Sequence, residues 1–182
     1  MRRPALIPLL LALAACGAAP PAASPAPEDP SRTVSTTGWK LYQDPSFGFS
    51  IRYPDTLVIF SERPEKPLPE RRPPLLHRVA FLDRGLAASD TAALQPPQLA
   101  IEVFAPAAGP LRSWLEANGR LTGGVSELSL PGAREALRVR DPRLSAPNEF
   151  FYYATERGVV ALIPLGAEGS AMIGTFRLAA EK

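Results

Sequence analysis

The stretch that decides the fold is Phe-Gly-Phe-Ser-Ile-Arg-Tyr at residues 47–53, which Pro54 follows. Its aromatic and β-branched residues occupy every second position, and small or polar residues lie between them. This period of two is typical of a strand with one buried face. Proline interrupts the hydrogen bonding of a strand, so we expect this strand to end at Pro54.

Similar patterns on both sides of this strand predict an antiparallel β-sheet. Runs at 149–155 and 159–163 flank Glu-Arg-Gly, and runs at 125–130 and 133–140 flank Pro-Gly, so each pair predicts a hairpin. Val-Val-Ala-Leu-Ile at 159–163 is apolar on both faces, which indicates a covered central strand. Further strands are predicted at 39–41, 56–60, 77–82, 98–105 and 175–178.

Two helices are predicted between these strands. Pro110 at the start and Gly119 after the end bound a helix over 111–118. Leu111, Trp114 and Leu115 form an apolar stripe at helical spacing, which we expect to pack on the sheet. A second, short helix is predicted at 167–173. The predicted fold class is α+β, with an antiparallel sheet flanked by helices.

The N-terminus carries an export pattern. Two arginines precede a twelve-residue apolar stretch at 4–15, which is shorter than the ~20 residues that span a bilayer. Residues 13–16, Leu-Ala-Ala-Cys, resemble the lipobox of bacterial lipoproteins. The resemblance implies that residues 1–15 are a signal peptide and that Cys16, the only cysteine, receives a lipid that anchors the protein to a membrane. Ordinary signal cleavage nearby, without lipid, is the alternative.

Residues 16–38 are predicted to be an alanine- and proline-rich linker that holds a single domain, residues 39–182, away from the membrane. Gly17 stands where aspartate favours retention in the inner membrane of bacteria with two membranes. By resemblance to that sorting pattern, the expected location is the cell envelope, at the periplasmic face of the outer membrane rather than the inner membrane.

The domain resembles the PsbP-like group, named for an extrinsic photosystem subunit. The resemblance spans about 39–179 and is carried by a strand entry, a Trp-Leu helix and a closing strand: Gly48, Phe49, Ile51, Tyr53, Pro54, Trp114, Leu115, Thr175 and Phe176. It implies an α/β/α sandwich. All of these are packing or turn residues, so the resemblance carries over no functional site.

The composition argues against several classes of function. Lysine and arginine number 20 against 18 acidic residues, and the signal peptide holds two of the 20, so no basic excess remains for binding nucleic acid. One cysteine and one histidine disfavour zinc and iron–sulfur sites. His77 alternates with apolar neighbours, so we expect it to be packed and hydrogen-bonded rather than catalytic. We therefore predict no enzyme activity, no cofactor, no metal site and no catalytic residue.

One segment stands out. Residues 62–74, Glu-Arg-Pro-Glu-Lys-Pro-Leu-Pro-Glu-Arg-Arg-Pro-Pro, combine five prolines with seven charges. One interpretation is an exposed loop that binds a protein partner, with Arg71 and Arg72 as candidate contacts; the other is a passive insertion. The leading functional hypothesis is a non-enzymatic, lipid-anchored envelope protein that binds or scaffolds a protein. The alternative is a small-molecule or cation binder that uses the sheet surface.

Overall fold

The computed structural model describes residues 35–64, 73–87 and 95–179. These residues form a mixed α+β fold of ten strands and three short helices. The strands are β1 Lys40–Asp44, β2 Phe49–Tyr53, β3 Leu57–Glu62, β4 Leu75–Asp83, β5 Leu99–Phe104, β6 Gly124–Glu127, β7 Glu135–Arg140, β8 Glu149–Ala154, β9 Val159–Pro164 and β10 Arg177–Leu178. The helices are α1 Arg84–Ala87, α2 Leu111–Ala117 and α3 Ala167–Ile173.

The strands form two sheets where the sequence predicted one. The large sheet has the order β3-β4-β5-β9-β8-β7-β6, and the small sheet has the order β1-β2-β10. All strand pairings within the described ranges are antiparallel. The strand that decides the fold is β2, and it lies in the middle of the small sheet. Its Ser50 pairs with Gln43 on one side and with Arg177 on the other.

Both predicted hairpins are confirmed, as is the central strand. β6 pairs with β7 and β8 pairs with β9, although β6 ends at Glu127 and is shorter than expected. β9 is the fourth of seven strands, and its residues 159–162 are fully buried. The apolar run on both faces therefore reflects a strand that is covered on both sides.

Helix α2 covers one face of the large sheet. Leu111 and Leu115 are 0% exposed and pack against residues of β7, β8 and β9. Trp114 is partly buried, and its ring lies 5.7 Å from that of Phe104. The carboxylate of Glu135 accepts a hydrogen bond from the Leu111 amide at 2.9 Å, which fixes the start of the helix. The predicted stripe is confirmed.

The small sheet and α3 cover the opposite face. Ile51 of β2, Met172 of α3 and Phe176 pack against buried residues of β4, β5 and β9. The core therefore has two parts, one on each face of the large sheet. Helix α3 matches its prediction, whereas α1, with four residues, is too short for a periodic pattern to reveal.

The ends of the proline-rich segment belong to the domain. Glu62 is the last residue of β3 and pairs with Arg78 of β4, so the predicted loop begins one residue later than expected. Pro73 is buried at the other end, and the Pro74 carbonyl accepts a hydrogen bond from the Ala105 amide at 3.4 Å. Residues 65–72 lie outside the described residues.

Candidate functional site

The site begins at the tight turn between β1 and β2. Asp44 ends β1, and its Oδ1 accepts hydrogen bonds from the amides of Ser46 at 2.9 Å and Phe47 at 3.1 Å. The Asp44 carbonyl accepts a third from the Gly48 amide at 2.8 Å. Gly48 has a φ of +68°, a conformation that favours glycine. The turn is thus fixed by one aspartate and closed by one glycine.

The other oxygen of Asp44 faces His77. Its Oδ2 lies 3.0 Å from Nε2 of His77, and both side chains are 1% exposed. The Nδ1 atom of His77 lies 3.0 Å from the Glu62 carbonyl oxygen. A carbonyl only accepts hydrogen bonds, so Nδ1 must carry the proton when the ring is neutral. Nε2 is then an acceptor that faces a carboxylate.

Neither Nε2 of the neutral ring nor Oδ2 of the carboxylate then carries a proton, so the two atoms form no hydrogen bond. Oδ2 of Asp44 and Nε2 of His77 are buried without a hydrogen-bond partner in the described part of the chain. Burial lowers the pKa of His77, and the Asp44 carboxylate acts in the opposite direction. Burial, together with the charge of Asp44, also raises the pKa of the neighbouring Tyr42. The neutral imidazole is the form that this environment favours at neutral pH.

Two further side chains enclose the pair. The ring of Phe47 stacks on His77 with centroids 5.7 Å apart and an angle of 16° between the planes. Nη2 of Arg63 lies 3.6 Å from Oδ2 of Asp44 and donates to Oγ of Ser46 at 3.2 Å. We call Asp44, Phe47, Arg63 and His77 the Asp44–His77 cluster. It joins the turn of the small sheet to the first residue after β3.

Both ring nitrogens of His77 are enclosed by the protein. One ring nitrogen faces a backbone carbonyl, the other faces Asp44, and the side chain is 1% exposed. The prediction of a packed, hydrogen-bonded histidine is confirmed.

An open cleft lies at the same turn. Its volume is about 500 Å³, and it is formed by the turn, β2, the end of β10 and the β8–β9 turn. Arg157 of the β8–β9 turn lines it together with Gln43 and Ser50, and apolar side chains such as Leu178 complete the lining. Asp44 also belongs to the lining, although its carboxylate is buried in the cluster.

The site residues predicted from the sequence fall outside the described part of the chain. These residues are Cys16, Arg71 and Arg72. Within the described ranges, no three potential metal ligands come together, and no helix is long and apolar enough to cross a membrane. Sequence reasoning missed Asp44 and Arg157. Both lie at strand ends or turns, where alternation gives no signal.

Comparisons with protein-family models, with curated proteins and with solved structures gave no match.

Proposed function

We propose that this protein is a lipid-anchored component of the bacterial cell envelope that binds or scaffolds a protein partner and catalyses no reaction. In this proposal Cys16 carries the lipid, residues 16–38 form the spacer, and the protein lies at the periplasmic face of the outer membrane. The domain is proposed to be a PsbP-like α/β/α sandwich. The antiparallel sheets and the packing of α2 are compatible with that type.

The observation that carries the partner proposal is the anchoring of the proline-rich segment at its first end. His77 contacts the Glu62 carbonyl at 3.0 Å, and Arg63 contacts Asp44 at 3.6 Å. These contacts tie the first two residues of the segment to β1 and β4. A segment whose base is fixed loses less entropy when it binds a partner.

Arg71 and Arg72 remain the proposed contacts on this segment. A guanidinium group presents its donors in a planar fork that matches carboxylates and phosphates. The prolines that follow restrict the backbone before binding.

The test is crosslinking of the anchored protein in its native membrane. Replacement of both Arg71 and Arg72 by alanine should reduce the capture of a specific partner while the melting temperature stays nearly unchanged. Arg112→Ala is the matched control, because Arg112 is an exposed arginine on α2. Equal capture by all three proteins would contradict the role of the segment.

The anchor has its own test. Cys16→Ala should move the protein out of the membrane fraction or block its maturation, because no other cysteine can take the lipid. An N-terminal peptide without acyl mass in the wild-type protein would contradict the proposed anchoring.

The cleft favours a second candidate function, the binding of a small molecule on the small sheet. Its volume of about 500 Å³ lies within the usual range of ligand sites, roughly 300–1,000 Å³. It combines polar and apolar lining residues, as such sites do.

A further inference from the structure

We propose that the cleft binds a small organic carboxylate, with Arg157 as the group that holds the anion. This inference rests on the second candidate function, ligand binding, and not on the binding of a protein partner. It specifies the ligand class: the charged side chain that lines the cleft with free donors is an arginine, which favours an anion over a cation.

Arg157 is held in place before any ligand arrives. Its Nη1 donates a hydrogen bond to the Pro45 carbonyl at 2.9 Å, and its backbone amide donates to Oγ1 of Thr155 at 3.1 Å. Gly48 makes room for the guanidinium, since a Cβ at this position would lie 3.0 Å from Nη1. A guanidinium that is already positioned loses less freedom on binding.

The charge of Arg157 has no ion-pair partner in the part of the chain that the structure describes. The nearby carboxylate of Asp44 is 1% exposed and already contacts His77 and the turn amides. A guanidinium has five N–H donors, so its bond to Pro45 leaves others for a ligand.

The remaining lining indicates what the rest of the ligand resembles. Gln43 and Ser50 are paired directly across β1 and β2, and both line the cleft. Neither side chain makes a hydrogen bond within the described residues, so both are free to contact a polar group. Leu178 and Ala179 supply apolar surface. One cation beside an apolar wall suits a monoanion with a short hydrocarbon body better than a multiply charged phosphate.

The test is a titration followed by two-dimensional amide NMR. It uses the full chain with Cys16→Ala, so that apolar probes do not partition into lipid or detergent. The probes are hexanoate and its neutral counterpart hexanamide. We expect hexanoate to shift the amide signals of Gly48 and Ser50 in a saturable way, with hexanamide giving no saturable shift at the same concentrations.

Arg157→Gln should weaken hexanoate binding by about tenfold or more, because the charge and the fork are lost together. Arg112→Gln, on the exposed side of α2, should bind like the parent. Should Arg157→Gln fail to fold, the comparison of acid with amide on the parent protein still decides the matter. Equal shifts from the acid and the amide, no saturation, or unchanged binding in folded Arg157→Gln would each overturn the proposal.

This result is separable from the partner hypothesis. Partner capture is tested through Arg71 and Arg72 in the native membrane, whereas carboxylate binding is tested through Arg157 on the isolated chain. A failure in one experiment leaves the other intact.

Discussion

Asp44, at the end of β1 in the small sheet, contacts His77, in β4 of the large sheet, at a distance of 3.0 Å between Oδ2 and Nε2. This contact is one place where the two sheets are joined by buried polar groups rather than by apolar packing. With a neutral His77 this contact supplies no hydrogen bond, and the buried carboxylate of Asp44 is stabilised by the Ser46 and Phe47 amides that donate to its Oδ1.

Asp44→Ala should therefore lower the free energy of unfolding by about 1.5–3 kcal/mol, the range for hydrogen bonds to a charged group. The substitution removes the acceptor for the Ser46 and Phe47 amides. The measurement is denaturation with urea. Asp55→Ala, at an exposed aspartate in the β2–β3 turn, is the control and should change the value by less than about 0.5 kcal/mol. A similarly small loss for Asp44→Ala would contradict the role assigned to Asp44 in the turn.

His77 should make stability depend on pH. Burial, opposed by Asp44, lowers its pKa below the ordinary value of 6.5, so the folded protein binds fewer protons at this site than the unfolded chain does. Its contribution is therefore fully present above pH 6.5 and decreases as the pH falls from 6.5 towards the lowered pKa.

The check is unfolding measured between about pH 8 and pH 5 for the wild type and for His77→Gln, which has no titrating ring. The wild type should lose more stability over this interval than the variant. Parallel curves would show that His77 does not titrate differently in the two states.

Asp141 should also make stability depend on pH, in a more acidic range. Arg143 donates hydrogen bonds to Asp141 from Nε at 2.9 Å and from Nη2 at 2.8 Å, which lowers the pKa of Asp141 from its ordinary value of 3.8 to about 2. The stabilisation is present above pH 3.8 and is lost as the pH falls towards 2. Asp141→Asn should flatten the acid limb of the stability curve in this window. An unchanged acid limb would contradict the assignment.

The core under α2 gives a prediction that is independent of titration. Leu115 is 0% exposed, so Leu115→Ala should reduce the free energy of unfolding by about 2–5 kcal/mol. Arg112→Ala on the same helix is exposed and should remain within about 0.5 kcal/mol of the wild type. Chemical denaturation of both variants measures the difference, and a neutral Leu115→Ala would mean that α2 does not pack on the sheet.

Gly48 and Gly109 provide a matched pair of glycine-to-alanine substitutions. Its φ of +68° and the 3.0 Å approach of Arg157 both disfavour a side chain, so Gly48→Ala should cost about 1–2 kcal/mol. Gly109 lies in open space with no positive φ, so Gly109→Ala should be close to neutral. Equal melting temperatures for the two variants would contradict the account of the turn.

The sequence predicted the strands and helices better than it predicted the tertiary contacts between them. Alternation located β2, and apolar runs located β9, because burial imposes a period on each strand. The same reasoning placed His77 on an apolar face. Its partner Asp44 was not predicted, because the contact joins distant parts of the chain and a lone aspartate at the end of a strand has no periodic signature. The division into two sheets was missed for the same reason.

The place of β2 between β1 and β10 also has a kinetic consequence. Arg52 in β2 and Thr175 just before β10 are 123 residues apart, yet the Arg52 amide donates to Oγ1 of Thr175 at 3.0 Å, and Oγ1 donates to the Arg52 carbonyl at 3.2 Å. Contacts between residues so far apart raise the contact order of the fold. Closing so long a loop costs entropy before any contact compensates for it, so folding is slower. The small sheet is therefore complete only after β10 is available, so a chain interrupted before Thr175 would leave β2 with an unpaired edge.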